Sequence, residues 1–275
     1  MTTKPDVFER ALDALLDGDL SALDDALEAD PDLVAARAPW RVPPWDGYFH
    51  RATLLHHVAG NPRIRPLPRT MLRAARRLLD AGADVDAVTA AGPTQPGDIG
   101  WTTLGLAATS GDAREAGFQI ALMDLLIEAG ADLDARNGGA LMGALYSGEG
   151  EAARHLARAG ARVDTIAAAG LGDLDRLATF LALDDATLAA APRLAHYARV
   201  PWPTDAGPDE TATHVRGMAL VYAALHDRTE AIHLLLEAGA DPNHRPPFEH
   251  GATALHWAVL GDAPGAVGVL LDAGA

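Results

Sequence analysis

One short motif recurs along this chain of 275 residues and restricts the fold to one built from repeated helices. Its clearest copy runs from Leu234 to Asn243, where an apolar run ends at Gly239 and Pro242 follows. Glycine adopts the left-handed conformation that closes a helix, and proline prevents the helix from continuing. The motif glycine recurs, at intervals of 48, 30, 79 and 35 residues, at Gly82, Gly130, Gly160, Gly239 and Gly274. We therefore predict positive φ angles at helix ends for Gly82, Gly130, Gly160 and Gly239.

A second signature follows the glycine motif at Thr253 to Ala258, which reads Thr-Ala-Leu-His-Trp-Ala. The Thr253 hydroxyl is placed to accept the early backbone N–H groups of a new helix. This junction resembles the boundary between two repeats of the ankyrin family, whose signature is Thr-Pro-Leu-His-x-Ala at a period of about 33 residues. The chain is similar to bacterial-type ankyrin-repeat proteins with long finger insertions. The resemblance implies an all-α solenoid of about seven helix-turn-helix repeats, two of them degenerate, in a single domain over residues 1–275.

Helical periodicity and the two signatures assign the repeats. The degenerate first repeat covers residues 7–38 and ends after Asp30-Pro31. The fifth has lost its signature but keeps two helical runs, Ile166 to Leu171 and Leu174 to Leu183. The second, third, fourth, sixth and seventh repeats begin at or near Thr53, Thr102, Leu141, Met218 and Thr253.

Three long insertions separate the second helix of one repeat from the first helix of the next. They cover residues 39–51, 88–101 and 192–216, and they hold all but one of the 5 tryptophans and half of the 18 prolines. Loops this long are usually functional or disordered, and disordered loops are poor in aromatic residues. We therefore predict ordered loops. In the ankyrin family this place is the hairpin finger, which leans over the concave face.

Composition excludes several classes of protein. The chain has no cysteine, so disulfides and thiolate metal sites are excluded. The net charge of -16 argues against nucleic-acid binding, which needs basic surface. No apolar run approaches the 18 residues of a membrane span, and no signal-peptide core follows the N-terminus. These features predict a cytoplasmic protein without a metal or cofactor.

Histidines are the main candidates for chemistry. His56 and His256 occupy the position where ankyrin repeats carry a structural histidine that bonds neighbouring loop backbone. His57 lies where an apolar residue is usual, so it needs a partner or pays a desolvation cost. If the chain is an enzyme, His57 or His214 transfers the proton and Asp209 or Glu210 orients it.

Ligand-binding candidates are aromatic and histidine side chains of the fingers and of groove-facing helix positions. The candidates are Trp45, Tyr48, His50, Trp101, Tyr146, His196, Tyr197, Trp202 and His226. We predict that those of the fingers converge over the groove together with His214, with His57 and Tyr146 beneath, and bury area against one another or against a ligand.

Two functions from different classes fit this sequence. The first is a recognition module that binds a partner protein in its concave groove, which is what most of the family does. The second is a small-molecule-binding protein, or a cofactor-independent acid/base enzyme, with a pocket roofed by the fingers. The last repeat carries Val267, Val269, Leu270 and Leu271 without a polar cap. We therefore expect either a truncated chain or self-association through this repeat.

Overall fold

The computed structural model describes residues 4–38, 49–60, 66–90, 100–194, 206–246 and 251–275. These residues form two compact units, Met1–Arg136 and Asn137–Ala275. The helices of the first unit are α1 (Lys4–Asp17), α2 (Leu20–Ala29), a 3-10 helix (Pro31–Val34), a second 3-10 helix (Leu55–Val58), α3 (Met71–Asp80), α4 (Thr103–Ala108), α5 (Gly111–Glu115) and α6 (Gln119–Glu128). Helix α7 (Ala135–Tyr146) begins at the boundary.

The second unit continues with the same pairing of helices. Its further helices are α8 (Gly150–Ala159), α9 (Thr165–Leu171), α10 (Leu174–Leu181), α11 (Asp185–Ala190), α12 (Pro208–Leu225), α13 (Thr229–Glu237), α14 (Ala254–Leu260) and α15 (Pro264–Asp272). The predicted all-α fold of helix-turn-helix repeats is confirmed. The prediction of one domain over residues 1–275 stays a prediction.

The motif glycines end the second helices of the repeats as predicted. Gly82, Gly130, Gly160 and Gly239 have φ angles of 93°, 91°, 107° and 83°. A left-handed residue at this position directs the chain away from the helix, and glycine adopts it without a steric cost. The predicted positive φ angles at helix ends are therefore confirmed for these four glycines, whereas α7 begins at Ala135, earlier than the predicted start of repeat four near Leu141.

Hydrogen bonds at the base of one finger also agree with the sequence. Val88 and Thr102 form an antiparallel bridge, and the N–H of Thr89 donates to the Trp101 carbonyl at 2.9 Å. The N–H of Ala90 donates to the His50 carbonyl at 2.8 Å. The end of the first finger and the start of the second therefore lie next to each other.

The third predicted finger is shorter than the sequence suggested. Helix α12 begins at Pro208, ten residues before Met218, so the prediction of a loop up to Arg216 is wrong. Pro208 occupies the first helical position and Asp209 and Glu210 fall in the first turn, all of which favour a helix start. His214 therefore lies on a helix instead of a loop.

The degenerate fifth repeat is thin because its first helix, α9, is built from small residues. Ala167, Ala168, Ala169 and Gly170 are all buried. A β-carbon on Gly170 would stand 3.2 Å from Leu145 on α7 and 3.3 Å from Tyr222 on α12. Gly170 therefore packs between Leu145 and Tyr222, where little room remains for a side chain.

A glycine also sets the contact between α12 and α14. A β-carbon on Gly261 would stand 2.2 Å from the backbone oxygen of Leu225, an atom that cannot move without shifting α12. We expect Gly261→Ala to lower the free energy of unfolding by about 1–3 kcal/mol through overpacking. Urea denaturation followed by circular dichroism measures this loss.

Gly268 is the matched control for Gly261. It lies inside α15, and nothing stands within 4 Å of the position of its β-carbon. Gly268→Ala should leave stability unchanged or raise it by about 0.5–1 kcal/mol, because alanine is the better helix former. Equal losses in the two variants would contradict the close approach at Gly261.

Candidate functional site

The C-terminal ends of three first helices converge in the second unit. The Tyr146 ring at the end of α7 meets the Trp257 ring of α14 edge to face, with centroids 5.6 Å apart. His226, at the end of α12, bonds the Leu145 carbonyl through Nε2 at 2.7 Å. Repeats four, six and seven therefore meet directly, beside the thin fifth repeat.

This convergence forms an open pocket with a volume of about 710 Å³. Most of its walls are the turns that join first to second helices, so we call it the turn pocket. It is lined by Tyr146, Ser147, Gly148, Gly150, Glu151, Arg154, Leu225, His226, Asp227, Arg228, Leu260 and Gly261. Its volume falls in the range of small-ligand sites, roughly 300–1,000 Å³.

Three nitrogen atoms from different side chains meet above the first turn of α8. The position that a β-carbon on Gly150 would take lies 3.4 Å from Nδ1 of His226. The same position lies 3.5 Å from a terminal guanidinium nitrogen of Arg154 and 3.7 Å from one of Arg228. Because Gly150 has no side chain, this space stays free for an incoming group.

His226 contributes a neutral imidazole to the pocket. Burial is the main cause that lowers its pKa, to about 4, and the positive charges of Arg228 and Arg154 lower it further. Because Nε2 faces the carbonyl oxygen of Leu145, Nε2 carries the hydrogen and donates it. Nδ1 is then an acceptor that faces the two arginines.

Two carboxylates also line the turn pocket. Asp227 accepts the N–H of Ala266 through Oδ1 at 2.6 Å and so caps α15. Glu151 is exposed at the first turn of α8. The pocket thus has a positive centre with acidic groups on its walls.

A smaller pocket, of about 180 Å³, surrounds the N-terminus of α9. The buried Asp164 caps this helix, since Oδ1 accepts the N–H of Ala167 at 2.8 Å. Its Oδ2 accepts the N–H of Leu194, also at 2.8 Å. Burial raises the pKa of Asp164, and these two bonds oppose the rise. Both oxygens hold the backbone, which gives Asp164 a structural role.

The structural interpretation of His56 is confirmed. Its Nε2 donates to the carbonyls of Ala87 at 2.9 Å and Trp101 at 3.1 Å. Its Nδ1 accepts the N–H of Thr53 at 3.1 Å and the hydroxyl of Thr53 at 2.8 Å. His256 makes the same two contacts with Thr253 in the last repeat, where its side chain is exposed. His56 therefore forms hydrogen bonds to the backbone at both ends of the finger at residues 88–101.

Three other candidates of the first unit are core residues. His57 is fully buried and stacks on Phe49 with ring centroids 4.9 Å apart. His50 is buried as well. Trp101 is buried and lies over Gly105 in the first turn of α4. Their burial gives these side chains a packing role, and their predicted part in binding or catalysis stays a prediction.

His214 has the carboxylate neighbour that the sequence suggested. Its Nε2 lies 3.8 Å from Oε1 of Glu210, one turn earlier on α12. Its Nδ1 lies 3.2 Å from Nε2 of His244, a contact that the sequence did not indicate. Burial and then the charge of His214 lower the pKa of His244. The backbone carbonyl of Asp209 accepts the hydroxyl of Thr213.

Five ligand-binding candidates lie outside the described residues. They are Trp45, Tyr48, His196, Tyr197 and Trp202. The predicted convergence of the finger aromatics over the groove therefore stays a prediction. Of the nine candidates, the structure brings Tyr146 and His226 together in one pocket.

Sequence reasoning missed Arg154 and Arg228. Both follow a turn that begins at a candidate residue: Arg228 comes two residues after His226, and Arg154 eight residues after Tyr146. Their position after the turn could have indicated them, because residues just after a turn lie at the same end of the repeat as residues just before it. Arginines are also common elsewhere on surface helices, so this position alone does not distinguish these two.

No group of three or more histidine, aspartate or glutamate side chains in the described part of the chain is arranged to hold a metal ion. None of its helices has both the length and the apolar character of a membrane span.

The stacked pairs of short antiparallel helices define a helical repeat protein. Within that class, residues 220–271 match the family model for ankyrin repeats (many copies). The crystal structure of the human ASB11 ankyrin repeat domain is similar to this chain, with a TM-score of 0.45 and 21% sequence identity. That similarity covers 95% of this chain and 96% of the other. A comparison with curated proteins gives no significant match.

Proposed function

We propose that this chain is a protein-recognition module whose second unit binds a segment of a partner protein at the turn pocket. Ankyrin repeats are generally protein-interaction modules, which supports the class of function. The observation that carries the proposal is the pocket itself, where Tyr146 and His226 come together at the ends of converging first helices.

Apolar surface beside the pocket supports a peptide as the occupant. Leu260 lines the pocket and is 72% exposed, and its neighbour Val259 is 68% exposed. Large apolar side chains beside a polar pocket are typical of interaction sites, in which a buried apolar centre is surrounded by polar groups. A peptide can cover these side chains while a polar group enters the pocket.

The volume of the turn pocket also supports the second candidate, a small-molecule site. The pocket is formed by helix turns instead of the aromatic fingers, and its open form suits an extended ligand better than an enclosed one. Neither the turn pocket nor the smaller pocket at Asp164 is lined by His57, His214, Asp209 or Glu210. The described pockets therefore give no support to the acid/base enzyme.

Selection of displayed peptides tests the proposal. A random 12-residue phage library is selected on the immobilised full chain, and the binding of enriched peptides is measured by fluorescence anisotropy. We expect Leu260→Asp to weaken binding at least about tenfold, because a central apolar contact contributes more than 1 kcal/mol.

Leu271 provides the control for Leu260. It is another exposed leucine, 55% exposed on α15, and it does not line the turn pocket. Leu271→Asp should change affinity less than about twofold, within the small effect of peripheral contacts. Failure to enrich any peptide, or equal losses in the two variants, would contradict the proposed function. Self-association through the last repeat stays a separate prediction.

A further inference from the structure

Two arginines in the turn pocket lie close together and make no close ion pair among the described residues, although the charge of Asp227 acts on Arg228. Neither Arg154 nor Arg228 forms an ion pair with a described carboxylate. Elsewhere, Arg77, Arg176 and Arg216 pair with aspartates. In a chain with a net charge of -16, the feature that carries the argument is that two guanidinium groups meet at one point near Gly150.

The structure holds Arg228 in place before any ligand arrives. Its Nε donates to the carbonyl of Gly170 at 3.2 Å, and its aliphatic stem lies against Gly172. This bond uses the inner nitrogen and leaves the terminal nitrogens toward the space above Gly150. A side chain that is already ordered loses less conformational freedom on binding.

The charges of the two arginines act on each other. Burial lowers the pKa of Arg228 and the positive charge of Arg154 lowers it further, while the negative charge of Asp227 opposes the fall. An anion between them would offset this repulsion and would accept hydrogen bonds from both guanidinium groups. Helix α8 adds to the attraction, because its first turn borders the same space.

The acidic walls indicate which anion fits. Asp227 and Glu151 line the pocket, and they repel a doubly charged phosphate more strongly than a singly charged carboxylate. The exposed Leu260 and Val259 add an apolar surface next to the positive centre. A carboxylate beside an apolar side chain matches both features.

We propose that Arg154 and Arg228 bind the carboxylate of an acidic peptide segment whose neighbouring apolar side chain contacts Leu260. This inference rests on the proposed function, because it takes the occupant of the pocket to be part of a protein. The carboxylate is either a glutamate or aspartate side chain or the C-terminus of a peptide.

Titration of arginine side-chain signals tests this inference. The chain is labelled with ¹⁵N-arginine, and the Nε–Hε signals are followed by NMR while N-acetyl-Leu-Glu-amide is added. We expect the Arg154 and Arg228 signals to shift and reach saturation. N-acetyl-Leu-Gln-amide, which differs only in charge, should bind at least about tenfold more weakly.

Further probes identify the source of the carboxylate. N-acetyl-Gln-Leu with a free C-terminus carries the same charge on the backbone, and whichever of the two acidic dipeptides binds more tightly identifies that source. Inorganic phosphate is the competing anion. If phosphate saturates the signals at lower concentration than both acidic dipeptides, the carboxylate assignment is wrong.

Arg154→Met and Arg158→Met form a matched pair for the same titration. Arg154 is exposed on α8, so we expect its removal to keep the melting temperature and to weaken the acidic dipeptide at least about tenfold. Arg158 lies one turn further along α8 and does not line the pocket. Equal affinity in the two variants, or equal binding of the glutamate and glutamine dipeptides, overturns the inference.

The display experiment separates this inference from the proposed function. Enriched peptides that depend on Leu260 but contain no required carboxylate would leave recognition standing and overturn the choice of anion. Binding of the acidic dipeptides without any enriched peptide would retain the anion site and contradict protein recognition.

Discussion

His56→Ala should lower the free energy of unfolding by about 3–5 kcal/mol, the largest effect that we expect from one substitution in this chain. The side chain is fully buried, and its loss leaves the carbonyls of Ala87 and Trp101 without their donor. It also leaves a cavity between the segments that His56 joins. Urea denaturation at pH 7, followed by circular dichroism, measures the change.

His256 allows a control at the same position of the repeat. It makes the local contacts with Thr253 but is exposed, so His256→Ala removes little more than a helix cap. We expect a loss of about 1 kcal/mol. If the two variants lose the same amount, the bonds of His56 to the finger base contribute little to stability.

Acid should weaken the protein between pH 6.5 and pH 4. Burial lowers the pKa of His56 to about 4 from an ordinary value of 6.5. Below pH 6.5 the unfolded chain binds a proton at this residue while the folded chain does not, so protons favour unfolding. The stability present above pH 6.5 is lost as the pH falls, by on the order of 3 kcal/mol at pH 4.

His56→Gln is the control for the acid effect, because glutamine retains a donor and an acceptor but does not titrate. Urea denaturation at intervals from pH 7 to pH 4 should show a smaller decrease for this variant than for the unmodified chain. Parallel decreases would show that other groups, such as His226, cause the acid effect.

The sequence predicted the repeats well because local chemistry determines them. A glycine with positive φ ends a helix and a threonine cap begins one, and both act on residues close to them in the chain. Their pattern can therefore be recognised in the sequence alone. The start of α12 was missed because the signature position at Met218 was taken as the start of the helix, although Pro208, Asp209 and Glu210 already form a favourable first turn.

The candidate site was predicted only in part, for a different reason. Tyr146 and His226 were found because they end first helices, where the family places contact residues. Arg154 and Arg228 belong to the following turns and helices, and their meeting with His226 depends on how three repeats approach one another. The spacing of these residues along the chain does not indicate how closely the repeats approach one another. His57 appeared unusual in sequence, yet its ring stacks on Phe49 from the preceding segment.

Helix α9 contributes none of the residues that line the turn pocket, yet its Gly170 packs between Leu145 of α7 and Tyr222 of α12, two helices that end at the pocket. A side chain at Gly170 would press on both of these neighbours. A substitution on an inner helix can therefore disturb the pocket without replacing any residue that lines it.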